Sequence, residues 1–284
     1  MLVNMIHMLN DAKKNHYAVG AFNIVNELTA AAVIDEAAAQ NAPVILQTSQ
    51  KTVRQIGAKR LVDFVRPLAQ NVHIPVALHL DHGSDPDLAR ECVDSGYTSV
   101  MIDMSRKPID ENIRICREIA EYAHRFDVSV EGEIGAIVGV EDHVVVSESE
   151  AALADVQSAS RFVRETGIDF LAPAIGTAHG MYKGEPKLEF ELFAEICAGI
   201  AAPMVIHGGT GLSDDAFRRL IAIGAAKINI STALKIAYCG TIETYFANGG
   251  KRDPMAMDLA AYDAVRGMAR EHIALFGCAE RIAR

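Results

Sequence analysis

The sequence has 284 residues and a formal net charge of −10, and half of its residues are hydrophobic. The length fits one large domain or two small ones, and a negative charge without any Lys/Arg block argues against nucleic acid or an anionic membrane as the main partner. No window approaches the roughly eighteen continuous apolar residues that span a bilayer, and the start of the chain lacks the basic and apolar regions of a signal peptide. We therefore expect an unexported, cytoplasmic protein.

Short runs of β-forming residues recur along the chain, each followed by an Ala-rich or amphipathic stretch of helical period. The predicted strands, in chain order, are 18–23, 44–48, 76–81, 99–103, 128–133, 170–174, 204–207 and 227–230. The predicted helices include 29–40, 110–125, 159–166 and 214–223, and most of 233–284. Eight strands that alternate strictly with helices, without a linker, predict an α/β fold: a single (β/α)8 TIM-barrel domain over residues 1–284 with a C-terminal helical extension.

Polar residues that can ligate or catalyse follow the predicted strands at their carboxyl ends. In a barrel of this type the active site is built at that end, so these residues should converge on one rim. They are Asn23, Asp81 with His82, Asp103, Glu131 with Glu133, the loop 176–180, the segment 207–211 and the segment 229–232.

Three histidines, His82, His179 and His207, come from three non-adjacent segments and each follows an apolar strand. Three imidazoles with an open fourth position form the ligand set of a catalytic zinc ion. A single histidine at a strand end is more often structural, but three at one rim favour metal binding. Strand periodicity places His79 and Asp81 on one face of the third strand, with His82 just past its end. We expect Asp81 to orient the ligand or act as acid/base, and His79 to pack inside the barrel.

The glycine-rich segment HGGTG (207–211) and the segment NIST (229–232) follow the last two strands. Barrels commonly build a phosphate site there, because glycine lets backbone N–H groups approach an anion. A tight turn and a helix cap are the alternative for these segments. Lys183 and Lys227 leave open a Schiff base with a ketose, although three histidines favour a metal electrophile.

Longer motifs connect these residues. They are AFNIVN (21–26), LHLDHG (78–83), MIDMS (101–105), EGEIG (131–135), VEDHV (140–144), AIGTAHGMYKGEPKL (174–188), VIHGGTG (205–211) and KINIST (227–232). With these motifs the sequence resembles the class II, metal-dependent ketose-bisphosphate aldolases over nearly its whole length. In length it is closest to the branch of fructose- and tagatose-bisphosphate aldolases.

The resemblance implies an aldehyde-lyase that cleaves a ketose (bis)phosphate, such as fructose or tagatose 1,6-bisphosphate, to dihydroxyacetone phosphate and an aldehyde, and that also catalyses the reverse condensation. It implies one Zn²⁺ per subunit on His82, His179 and His207. It further implies that Asp81 exchanges a proton with the C4 hydroxyl and that Glu141, in the loop after strand five, is the base of the enediol step. Cleavage of the carbon–carbon bond beside a ketone leaves a carbanion. A divalent metal ion stabilises this carbanion as an enediolate, because it binds the negatively charged oxygens.

The resemblance also implies a wider set of site residues. Asp103 and Glu133 match a second metal position or residues that contact the metal ligands, and a monovalent cation is expected near Gly180 and Thr210. A homodimer or homotetramer is expected as well. The residues expected to bind the substrate and its phosphate are Asn23, Ser49, Gly180, Lys183, Gly208, Gly209, Thr210, Asn229, Ile230, Ser231 and Thr232.

One position departs from the family pattern. Fructose-bisphosphate members usually carry Asp-Pro-Arg near the C-terminus, where the Arg reaches across a subunit interface to the phosphate of the aldehyde half; here the segment reads Asp253-Pro254-Met255. Met cannot replace Arg in a bidentate contact with an anion. A first alternative substrate is therefore a modified ketose, sulfonated, deoxy or not phosphorylated at one end.

Two further alternatives concern the class of protein. A non-catalytic sugar-phosphate binding protein would keep the metal pocket without turnover, but Asp81 and Glu141 are both present. A metal-dependent hydrolase on the same barrel would show His-x-His on its first strand, and this sequence has none there. The aldolase is therefore the favoured interpretation.

Overall fold

The barrel predicted from the sequence is present. The computed structural model describes residues 1–141, 144–146, 152–180 and 186–283, and of 138–141 and 144–146 it describes the backbone alone. Eight parallel strands form a closed barrel in which each pairs with the next in chain order and the last pairs with the first. These strands are β1 (Val19–Asn23), β2 (Val44–Ser49), β3 (Val76–Gly83), β4 (Ser99–Ile102), β5 (Ser129–Ile134), β8 (Phe170–Pro173), β10 (Met204–Ile206) and β11 (Ala225–Ile230).

Helices surround the barrel, and several of them begin at a residue whose side chain caps the first turn. The helix after β1 begins at the cap Asn26, whose side chain accepts from the amide of Thr29 in a capping box. The helix after β10 begins at Ser213, whose side chain accepts from the amide of Ala216. The helices are α1 (Ile6–Asn15), α2 (Glu27–Ala39), α3 (Gln50–Ile56), α4 (Ala58–Gln70), α5 (Pro86–Ser95), α6 (Ile109–His124), α7 (Val156–Thr166), α8 (Phe190–Gly199), α9 (Asp214–Ile223), α10 (Thr232–Ala247) and α11 (Pro254–Leu275). The predicted C-terminal extension corresponds to α10 and α11. Within the described ranges, no helix has both the length and the apolar character needed to cross a membrane.

The core lies on both faces of the strands. Every residue of β1, β2, β3 and β11 is buried, because helices cover the outer face and side chains fill the interior. Polar residues are therefore buried wherever a strand carries them towards its carboxyl end. The barrel thus fixes the positions of these residues.

A second, three-stranded sheet was not predicted. It consists of β6 (Val138–Glu141), β7 (Val144–Val146) and β9 (Ala178–His179), in the order β7-β6-β9. Loops are predicted from the sequence after strands five and six, but β6 and β7 form an antiparallel pair and β6 pairs in parallel with β9. Both β6 and β7 are rich in valine, and β-branched residues favour extended backbone. Glu141 accordingly ends a strand.

Candidate active site

His82 lies in an irregular part of β3. This strand runs to Gly83, two residues beyond its predicted end, so His82 lies within the strand and not past it. Its φ of 48° is in the left-handed region, and the pairing with β4 shifts register between Leu80 and Gly83. A Cβ at Gly83 would collide with the Met101 carbonyl oxygen, so glycine is required there. This local distortion sets the direction of the His82 imidazole.

The three predicted histidines meet at the carboxyl end of the barrel. The His82 ring centroid lies 4.8 Å from that of His179 and 4.4 Å from that of His207. Each ring offers one nitrogen, and these nitrogens all lie within 4.8 Å of one another. The structure therefore brings together three nitrogens at a spacing that one metal ion can bridge.

His179 reaches this position through the second sheet. It belongs to β9, where Gly139 of β6 is its register partner. Gly208 has a φ of 68°, and a Cβ there would collide with the Ala178 carbonyl oxygen. The glycine after His207 therefore lets the loop that follows β10 pack directly against the segment that carries His179.

Asp81 is fully buried beside this cluster. Its Oδ1 lies 4.0 Å from His82 Nε2. Asn23 donates to its Oδ2 at 2.8 Å and Asn229 donates to its Oδ1 at 3.0 Å, while Gln47 in turn donates to Asn23 at 2.6 Å. Two amides thus fix the orientation of the carboxylate, and the predicted residues of β1, β3 and β11 form one hydrogen-bonded group.

Asp103 and Glu133 lie on the other side of His82. Asp103 Oδ2 is 3.2 Å from His82 Nδ1, and Glu133 Oε2 is 3.8 Å from the same nitrogen. Burial alone would raise the pKa of Asp103, but the hydrogen bonds from His82 and Ser105 hold it below its usual range. Burial and the Asp103 carboxylate both raise the pKa of Glu133. His82, Asp103 and Glu133 form a second group spaced for a metal ion.

Glu131 belongs to the site, although no role for it is predicted from the sequence. Its Oε1 lies 2.8 Å from His207 Nε2, and Lys227 donates to its Oε2 at 2.9 Å. Burial alone would raise the pKa of Glu131, but Lys227 and His207 hold it below its usual range. The motif Glu-Gly-Glu was the available signal, because period two puts Glu131 on the same strand face as Glu133.

The polar atoms of this site fit a bound cation. His207 Nδ1 and Glu133 Oε2 lie 3.1 Å apart as an ion pair, and neither atom makes a regular hydrogen bond among the described residues. Burial and His82 would lower the pKa of His207, yet Glu131 and Glu133 raise it. Buried polar atoms without partners are costly. Imidazole nitrogens and carboxylate oxygens are ligands of zinc and similar ions, so the residues fit such a metal.

The predicted phosphate residues line a narrow cavity next to the histidines. All of its lining residues belong to the predicted metal and phosphate sets: His179, Gly180, Gly208, Gly209, Thr210, Asn229, Ser231 and Thr232. Ile230 is fully buried, so it can offer the substrate no exposed side chain. The helix-cap alternative also has support, since the Thr210 hydroxyl accepts from the Ala233 amide and Ser213 caps α9.

A larger cavity of about 370 Å³ lies between α3 and α10. Asn23 and the predicted Ser49 line it, together with Lys51, Lys235 and Tyr238. Lys51 and Lys235 are its only charged lining residues among those described. The site thus has a tight end at the glycine segments and an open end at α3 and α10.

Two predicted residues fall outside this description. Lys183 lies outside the described residues. The backbone of Glu141 ends β6, two residues beyond Gly139, the register partner of His179, but its side chain is outside the description. Lys227, the other candidate for a Schiff base, is fully buried and ion-paired with Glu131.

The chain is thus a closed (β/α)8 barrel with a candidate metal site of histidines and carboxylates at the carboxyl ends of its strands. A family model described as "Fructose-bisphosphate aldolase class-II" matches residues 3–281. The chain therefore belongs to the class II fructose-bisphosphate aldolase family, whose members are lyases.

Solved structures of similar proteins agree with this family. The YdjI aldolase from Escherichia coli K12 is 31% identical, with a TM-score of 0.89 and 100% of both chains covered. A putative fructose-1,6-biphosphate aldolase from Coccidioides immitis is 25% identical, with a TM-score of 0.88 and coverage of 97% of this chain and 96% of that one. The fructose-bisphosphate aldolase from Campylobacter jejuni, at 19% identity, TM-score 0.85 and coverage of 99% and 97%, is similar in fold.

Proposed function

We propose that this protein is a zinc-dependent aldolase that cleaves a ketose (bis)phosphate to dihydroxyacetone phosphate and an aldehyde, and also runs the reverse condensation. One observation carries the proposal: three imidazole nitrogens lie within 4.8 Å of one another, next to the buried Asp81 carboxylate. His82, His179 and His207 would hold the ion. When bound, the ion supplies an electrophile that stabilises negative charge on the substrate oxygens.

Asp81 is the proposed acceptor of the C4 hydroxyl proton. Cleavage of the C3–C4 bond requires that this proton leave as the aldehyde carbonyl forms, so a base must face the hydroxyl. The amides of Asn23 and Asn229 hold the Asp81 carboxylate in one orientation, which supports this role. Because the carboxylate is already oriented, less conformational entropy is lost when the transition state forms.

Glu141 is the proposed acid/base at the carbon of the ketone half. That carbon must gain a proton after cleavage, and the donor must approach from another direction than Asp81. The register of β6 against β9 supports the assignment, because the Glu141 backbone lies two residues beyond the partner of His179.

The ketone half and its phosphate would occupy the narrow cavity of the glycine segments. Backbone amides of Gly208, Gly209 and Ser231 are suited to an anion there, since glycine permits close approach. A monovalent cation near Gly180 and Thr210 belongs to the same proposal.

The aldehyde half of the substrate would occupy the cavity between α3 and α10. Two candidate substrates differ in the chemistry of this half. Fructose or tagatose 1,6-bisphosphate is the first, and Lys51 and Lys235 support a charged end. A sulfonated, deoxy or singly phosphorylated ketose is the second. It is supported by Met255, which is 70% exposed where the family usually has Arg. Of the three similar structures, the most identical is named only as an aldolase, without a substrate.

Self-association belongs to the proposal too, as a homodimer or homotetramer. Large apolar residues are exposed on the two C-terminal helices, namely Ile236 and Phe246 on α10 and Met255 and Leu259 on α11. Exposed apolar residues that cluster on adjacent helices are typical of an interface. Light scattering coupled to gel filtration should give at least twice the monomer mass of 30.6 kDa.

A substrate panel tests the proposal. Aldol cleavage is measured on ketose bisphosphates, ketose 1-phosphates and sulfo-ketoses, with EDTA and then with zinc added back. We expect cleavage that EDTA abolishes and zinc restores, and the best substrate identifies the aldehyde half. Cleavage that survives EDTA and is trapped by borohydride would contradict the three-histidine assignment. Zinc binding without turnover of any substrate would instead support the non-catalytic binding protein.

A further inference from the structure

Three ionisable side chains from three strands meet in the interior of the barrel next to His207. Lys227 of β11, Glu131 of β5 and His79 of β3 are all fully shielded from solvent. Lys227 Nζ donates to Glu131 Oε2 at 2.9 Å, and His79 Nε2 lies 3.7 Å from the same oxygen. We call these three residues the interior cluster. The proposed mechanism gives none of them a role.

Stability alone is a weak reason for such a cluster. Removing two charges from water is costly, and a buried ion pair rarely stabilises a fold more than well-packed apolar residues of similar volume. Apolar side chains fill most of the interior of barrels of this type. The Lys227–Glu131 pair therefore calls for a role beyond filling the interior.

The interior cluster contacts a proposed metal ligand directly. The second oxygen of Glu131, Oε1, lies 2.8 Å from His207 Nε2. A carboxylate that is paired with an ammonium group offers only acceptors, so His207 must donate a proton from Nε2. In a neutral imidazole this leaves the lone pair on Nδ1. That nitrogen faces the metal site, 3.1 Å from Glu133 Oε2.

We propose that Glu131 and Lys227 are positioning residues: their ion pair holds Glu131 so that it accepts the Nε2 proton of His207 and leaves Nδ1 as the metal-ligating atom. The inference rests on the proposed function, since it assumes a metal at the three histidines. Carboxylates that accept the second N–H of a ligating histidine fix its tautomer and its ring orientation, and their removal weakens metal binding.

Paired substitutions separate this role from a structural one. Glu131→Leu with Lys227→Met removes the acceptor and both charges together, so no charge is left buried alone and the fold should persist. Zinc affinity, measured by competition with a chelator, should fall about 10- to 100-fold. Glu131→Gln with Lys227→Met keeps a carbonyl oxygen for the Nε2 proton, and we expect it to recover most of the affinity.

A second ion pair of the same chain supplies the matched control. Glu36 is buried between α2 and α11, where Arg270 Nε donates to its Oε1 at 2.7 Å. Glu36→Leu with Arg270→Met removes that pair far from the histidines. It should lower the thermal midpoint and leave zinc affinity unchanged within about twofold.

The tautomer of His207 gives a readout that does not depend on metal. In the metal-free protein, at a pH where the ring is neutral, long-range nitrogen–proton correlation spectra should show the proton of His207 on Nε2. The Leu/Met variant should lose this preference while its thermal unfolding stays cooperative. With cobalt in place of zinc, the visible absorption of the wild type should differ from that of the variant, because the coordination changes.

Two results would overturn the inference: a His207 proton on Nδ1 in the wild type, or wild-type zinc affinity in the Leu/Met variant. Failure of the proposed function looks different. A wild-type chain that binds no zinc, yet carries the proton on Nε2, refutes the metal site and leaves the effect of Glu131 on the ring in place.

Discussion

Two buried glutamates of this chain, Glu36 and Glu131, accept hydrogen bonds on both carboxylate oxygens, and they differ in what surrounds them. Both oxygens of Glu36 accept hydrogen bonds from Arg266 and Arg270. Beside Glu131, His207 Nδ1 and Glu133 Oε2 lie 3.1 Å apart as an ion pair, and neither atom makes a regular hydrogen bond among the described residues. A structural ion pair satisfies its own atoms, whereas a ligand site leaves atoms for a molecule that is still to bind.

Loss of a proposed metal-binding imidazole should have the largest effect. His179→Ala removes one of three nitrogens, so zinc affinity should fall at least about 100-fold, and cleavage of the best substrate should drop to background. His124→Ala is the control, because His124 pairs with Asp169 on the outside of the barrel and should have no effect on either. Unchanged zinc binding in the His179 variant would show that the region around Glu131 is not a metal site and does not differ in this respect from the region around Glu36.

Asp81→Asn should come next, with an effect on rate and not on metal. The amide keeps the shape of the carboxylate but cannot take up the C4 hydroxyl proton, so kcat should fall about 10²- to 10⁴-fold. Zinc affinity, measured by chelator competition, should stay within about tenfold of wild type. A variant with nearly full kcat would show that another group accepts the proton.

Glu36→Gln tests the structural region. It removes charge-assisted hydrogen bonds from two arginines and should lower the free energy of unfolding by about 1.5–3 kcal/mol, with zinc affinity and kcat unchanged. Urea unfolding gives the number. Altered zinc affinity in this variant would mean that the two clusters are coupled.

The same residue predicts a pH dependence of stability. Burial alone would raise the pKa of Glu36, but Arg270 and Arg266 hold it below its ordinary value. A carboxyl whose pKa is lower in the folded state stabilises the fold above its unfolded pKa, and this contribution is lost as the pH falls through the folded pKa. The stability difference between wild type and Glu36→Gln should therefore shrink below about pH 4.

Met255→Arg should have the smallest effect. The position is exposed at the start of α11, so a new contact with a phosphate would contribute at most about 1 kcal/mol, or roughly fivefold in KM. The expected result is a lower KM for fructose or tagatose bisphosphate with kcat unchanged. An unchanged KM would indicate that the aldehyde half does not reach this helix.

The barrel could be predicted from the sequence because its signals are local. Each strand is a short run of β-forming residues with a polar residue at its end, and the geometry of the barrel then brings His82 and His207 to one rim. β3 runs two residues beyond its predicted end, to Gly83, where a Cβ would collide with the Met101 carbonyl oxygen.

The rest depends on contacts that no local pattern encodes. Lys227 and Glu131 are 96 residues apart, and only the closed barrel brings them together. The second sheet likewise pairs two segments that are far apart in sequence, since Val138 of β6 is the register partner of Ala178 of β9. Neither segment alone shows which strand it will pair with. The open cavity could not be predicted either, since its lining combines α3 and α10, two helices that are far apart in sequence.

Hydrogen exchange of dihydroxyacetone phosphate in D2O tests the central claim most directly, because it needs only the ketone half of the reaction and the metal site. The account predicts that the zinc-loaded protein exchanges a carbon-bound proton of this compound, followed by NMR, and that the metal-free protein does not. Exchange that continues after the metal is removed, or no exchange with zinc bound, would contradict it.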